Sequence, residues 1–275
     1  RMWLVMILQT ILRWLGRVEM PAADPTRERT AITLEWSDDA AITESAPRSQ
    51  KLLLSRDGVD DRAGLAHAWR DVGCVAREAM ATSSQLALDL LRREAPPTLL
   101  AASHEDALEA IRQAKICFAL ARAIDGAEAA LLPRPMLTTT TTTTLAELAN
   151  ACLATAFRAS VQARIHAKLS RRAVDPSIRK SLEEIAAIEA RRSIHAFAII
   201  TWLITEDLAV ASSLEMPLLH AERENHPNVA IEGGWERWGI EGAALARQEV
   251  DAARLAIRRR LDDLTTKPHA AHLAA

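Results

Sequence analysis

Residues three apart on an α-helix share a face, so a Glu followed three positions later by His can offer a carboxylate and an imidazole to one metal ion. Two stretches of this chain have that layout without those residues. "LEAIRQAK" (108–115) places Ala110 and Gln113 at the spacing, and "AIEARRSIHAF" (187–197) places Glu189 and Arg192. Arg192, three residues after Glu189, is a permanent cation and opposes a metal ion beside it by charge. His195 lies three residues further along the same face and is the one imidazole able to rebuild a site, although a hydrogen-bonded core histidine is the plainer expectation. Glu109 lies one residue from Ala110, and one residue turns a side chain by about 100° to another face. His67 precedes Glu78 by eleven residues, about 16 Å of helix rise, too far to share an ion with it. His104, His166, His220, His226, His269 and His272 show no ligand spacing, and Cys74, Cys117 and Cys152 form neither an even disulfide set nor a CxxC pair. Buried free thiols are expected. No Gly-rich phosphate loop or G-x-S-x-G is present.

The elements that must position these residues are helical. Only 4% of the 275 residues are aromatic, with no Tyr and 9 Gly, while 49% are hydrophobic, mostly Ala and Leu; this composition points to an all-α class. Helical periodicity covers about 61–93, ending at Pro96 and Pro97, then about 103–126, where "SHED" offers a cap and first-turn acids. A run from Thr138 to Thr144 reads as a linker ending in an N-cap, followed by helices over about 145–172 and 176–204. A connector and a fifth helix, "EGAALARQEVDAARLAIRRRLDDL", complete the chain, with Arg258 to Arg260 placed near its end to suit the macrodipole. Glu183 and Glu184 read as a solvated or salt-bridged face. The expected divisions are an N-terminal helix and arm (1–60), a four-helix unit (61–205) and a connector with a C-terminal helix (206–275).

The opening "RMWLVMILQTILRWLG" is the most apolar segment, yet Arg13 interrupts it before the ~20 residues a spanning helix needs. Gln9, Arg13 and Arg17 share one face, and Trp3, Leu4, Ile7, Leu8, Ile11 and Leu15 cover the rest, so this is a helix in search of an apolar surface. A partner protein, a membrane interface for residues 1–17 and a signal-peptide core all stay open. The arm after it carries Pro21, Pro25 and Pro47 and one alternating stretch, "AITLEW" (31–36), a weak strand signal. Trp3, Ile7, Ile11, Trp14 and Trp36 are the expected interface anchors. The 34 basic against 36 acidic residues supply no field for nucleic acid.

"LLRREAPPTLLAASHEDALEAIRQAKICFALA" together with "DPSIRKSLEEIAAIEARRSIHAFAIITWL" resembles the bacterial ferritin-like superfamily of di-iron carboxylate four-helix bundles, over roughly residues 70–205. The likeness includes the proline breaker, the Cys117–Phe118 pair and the closing Trp202, and extends weakly into "WERWGIEGAALARQEV". That family holds two metal ions with one Glu from each of two helices and a Glu-x-x-His from each of the other two. The resemblance implies ligand positions at Glu78, at Ala110 and Gln113, at Thr155, and at Glu189 and Arg192. Only Glu78 and Glu189 keep a ligand, and no His remains.

Two functions are therefore expected to compete. In the first, a ferritin-like bundle has lost its metals, carries no cofactor and serves as a structural or interaction subunit through its N-terminal helix and arm. Such a degenerate site must supply its own positive charge, so an internal cluster of Glu78, Glu189 and Arg192 is expected, with Gln113 as a neutral neighbour. In the second, Glu78, Glu189 and His195 sustain a residual di-iron or single-metal oxidase or a metal-storage protein. A small-ligand pocket in the former metal cavity is the third reading. The resemblance suggests a bacterial chain, cytoplasmic or membrane-associated, with export open.

Overall fold

Breakers and caps divide the chain into long helices. The computed structural model describes residues 62–126, 142, 144–214 and 235–266, and every element among them is helical. They are α1 (Arg62–Arg92), α2 (Pro97–Asp125), α3 (Leu145–Arg172), α4 (Pro176–Glu206), a short α5 (Ala209–Ser213), a 3-10 turn (Trp235–Trp238) and α6 (Ala243–Thr266). The all-α expectation therefore holds for the described residues. Trp3, Ile7, Ile11, Trp14 and Trp36, the arm, the strand expected at 31–36, and most of the threonine run and the connector lie outside them.

Local chemistry explains each boundary. Pro97 opens α2 because its fixed φ suits the first helical position and its missing N–H is not needed there; Gly126 closes it in the left-handed region at φ 73°. The expected start near Ser103 is thus a turn and a half too late. Ser103 is buried inside α2, and its hydroxyl donates to the Leu99 carbonyl. α3 starts at a capping box: the Thr144 hydroxyl accepts from the Glu147 N–H, and the Glu147 carboxylate accepts from the Thr144 N–H, both at 3.1 Å. α4 starts where Asp175 accepts from the N–H groups of Ser177 and Ile178, with Pro176 at the first helical position. α6 runs on to Thr266, so Arg258 to Arg260 precede its last turn, and the Arg260 guanidinium instead lies 4.2 Å over the Phe197 ring.

The helices pair as two antiparallel hairpins, α1 with α2 and α3 with α4. Arg70 pairs with Asp125 at 2.6 Å across the first, and Ser193 donates to the Ala156 carbonyl at 3.0 Å across the second. The hairpins meet where α2 runs antiparallel to α4. One hydrogen bond and two ion pairs mark the register there: Asp106 with His195 at 2.9 Å, Glu109 with Arg191, and Arg112 with Glu184 at 2.5 Å.

α6 lies antiparallel along α3, held by Arg164 and Lys168 on Glu249, and adds Val250, Ala253, Ile257 and Leu261 to the common core. The stretch before it closes one end of the hairpins. The Trp69 indole N–H donates to the Trp238 carbonyl at 3.1 Å, and Gly239, at φ 87°, packs so tightly that a Cβ there would lie 2.6 Å from the Trp69 ring. Near the opposite end, buried Asp89 accepts from Gln85, Arg92 and Thr142 and fixes Thr142 to α1. No helix among the described residues is long and apolar enough to cross a membrane.

Candidate functional site

Glu189 and Arg192 face inward from the middle of α4, and both are almost fully buried. One terminal nitrogen of Arg192 donates to both carboxylate oxygens of Glu189 at 2.9 Å, as their three-residue spacing requires. The guanidinium's other edge, Nε and Nη2, is buried and has no hydrogen-bond partner among the described residues. Across the seam, α2 presents Ala110, fully buried, and Gln113, whose buried side-chain oxygen is likewise unpartnered.

The rest of the cluster surrounds this pair. His195 is hydrogen-bonded to Asp106 as expected, but it is half-buried rather than in the core, and the contact bridges the two hairpins. Burial pushes the Asp106 carboxyl above the usual range, against the lowering pull of His195 and Arg192. Burial likewise pushes the Cys117 thiol well up, reinforced by the negative charge of Glu189. Cys152 is pushed up to about 12; Cys117 and Cys152 are buried free thiols as expected, whereas Cys74 is only half-buried. His166 reaches the same region from α3, and burial holds its imidazole below its ordinary value although Glu241 and Glu189 pull upward.

Burial thus drives these titrating groups toward their neutral forms. The buried thiols do not ionise at neutral pH, so no activated nucleophile arises from them. Both carboxylate oxygens of Glu189 are occupied by hydrogen bonds from Arg192. No three His, Cys, Asp or Glu side chains among the described residues are grouped so as to hold one metal ion.

The site residues inferred from sequence are brought together unequally. Glu189 and Arg192 are in direct contact, with Ala110 and Gln113 buried on the facing helix. Glu78 is half-buried on α1. Thr155 is half-buried too, and its hydroxyl donates to the Ala151 carbonyl of its own helix; the α3 residue that meets Ser193 of α4 is its neighbour Ala156. Asp106 escaped the sequence reading, and His166 entered it only as a residue without ligand spacing. Asp106 was hidden because "SHED" was read as a helix start; once α2 begins at Pro97, Ser103, Asp106, Ala110, Gln113 and Cys117 fall on one buried stripe at helical spacing. Glu184, expected with Glu183 on a solvated or salt-bridged face, pairs with Arg112. Against this geometry, no family model, no curated protein and no solved structure matches the chain.

Proposed function

We propose that this chain is a non-catalytic, metal-free, ferritin-like bundle that serves as a structural or interaction subunit of a larger assembly. The observation that carries the reading is the buried Glu189–Arg192 pair. A ferritin-like bundle places its ligands on the inward faces of paired helices, and a bound cation balances the buried carboxylates. Here the chain's own guanidinium does so, and the facing positions on α2 are Ala110 and Gln113, neither of them an acid or an imidazole. Two antiparallel hairpins that meet through α2 and α4 are compatible with that architecture.

In this reading the partner is a protein, gripped by the N-terminal helix and arm through Trp3, Ile7, Ile11, Trp14 and Trp36. The motive is thermodynamic, because an apolar helix of about 15 residues is marginal alone in water and needs a surface to fold against. A membrane interface is the other surface that would satisfy residues 1–17.

Affinity purification of the tagged full chain and of a chain beginning at residue 59, both from the cells that make the protein, tests the assembly role. The full chain should bring down a stoichiometric partner that the shortened chain loses. Retention of that partner by the shortened chain would contradict the role given to the arm.

A further inference from the structure

Burying a charged donor without a partner costs several kcal/mol, so the free edge of Arg192 needs an occupant. Helical side chains lean toward their own N-terminus. On α4 this carries Arg192 toward the level of Glu189; on antiparallel α2 it carries Gln113 toward the level of Ala110. The pairs Asp106–His195, Glu109–Arg191 and Arg112–Glu184 put Ala110 and Glu189 at nearly the same height. The unpartnered guanidinium edge and the unpartnered Gln113 oxygen therefore come to about the same level, that of the fully buried Ala110.

We propose that this level is a binding site for a small neutral molecule that accepts from Arg192 and donates to Gln113. Water is the smallest member of the class and a primary carboxamide the next. Two parallel N–H groups ask for one oxygen acceptor, and the amide oxygen asks for one donor. A metal ion would face the guanidinium. An oxyanion would add a negative charge to a centre where Glu189 already neutralises Arg192 and Asp106 is a second acid nearby. The inference does not depend on ferritin-like ancestry, since it uses only atoms of this chain.

NMR of the full chain tests it by following the Arg192 Nε–H, identified by its loss in Arg192→Lys. A long-lived water should cross-relax with this proton, acetamide should shift it saturably, and acetate at the same concentration should not. Gln113→Leu, or the equally long Gln113→Met, should weaken the acetamide response about tenfold, one lost hydrogen bond. Water without an acetamide response would uphold the site and limit its size. A dry edge that responds to neither probe would overturn the proposal, as would acetate binding as well as acetamide or a response indifferent to Gln113.

Discussion

Two buried glutamates in this protein are neutralised in opposite ways. Glu249 on α6 is 1% exposed and meets Arg164 and Lys168 of α3, whose side chains are 42% and 34% exposed. Its ion pairs cross between helices and hold α6 in place, while the cations keep part of their hydration. Among the described residues Glu189 accepts its hydrogen bonds from Arg192, three residues away on its own helix, and Arg192 is buried with it. That pair joins no two elements, yet both partners have left water. Desolvation of this kind is rarely repaid by the attraction alone. The proposed function takes this pair, central yet not a staple between helices, as standing where its family's metal would be, and rests on this contrast with Glu249.

The largest expected effect comes from removing the buried cation. Arg192→Ala strands Glu189 and should cost about 3–5 kcal/mol in urea unfolding. Replacing both partners, as in Glu189→Met with Arg192→Met, should be nearly neutral or stabilise by about 1–4 kcal/mol. If the double variant were as damaged as the single one, the pair would be a structural staple and the contrast with Glu249 would collapse.

Glu249→Gln should cost less, about 1.5–3 kcal/mol and toward the low end, because Arg164 and Lys168 can regain water. It should also flatten the acid limb of the stability profile. Burial alone would raise the Glu249 pKa, but donation from Lys168 and Arg164 brings it below the ordinary 4.5. Its contribution is therefore complete above 4.5 and is lost as pH falls from there through the folded value. A profile unchanged by the substitution would show that α6 is held by its apolar face alone.

The smallest effect belongs to His166. Burial holds its pKa below 6.5, so the folded chain resists a proton that the unfolded chain accepts. Stability should fall as pH drops below 6.5, and His166→Gln should remove that slope. An unchanged slope would mean that some other group titrates there.

Much of the helical frame was legible in the sequence because its punctuation is local. Pro96 and Pro97, Thr144, and Asp175 with Pro176 each act within one turn. The α2 start was misplaced where two such signals competed: the proline pair fixes φ for the first turn, whereas "SHED" only resembles a cap. The contact between Glu189 and Arg192 was legible too, since spacing on one helix fixes it. What one helix cannot reveal is what faces it. The Asp106–His195 bridge and the stacking of Arg260 on Phe197 depend on the register between helices, which no periodicity encodes. Trp69 under Gly239 is of the same kind, a contact spanning more than 160 residues.

The central claim is that Arg192 has taken the place of a metal, and metal analysis of two purified chains tests it most directly. The parent should contain no stoichiometric iron, manganese or zinc. A variant with Ala110→Glu, Gln113→His and Arg192→His, which restores carboxylate and imidazole at the facing positions, should acquire one or more of these ions on incubation. A parent that carries a stoichiometric metal, or a folded variant that binds none, would contradict the account.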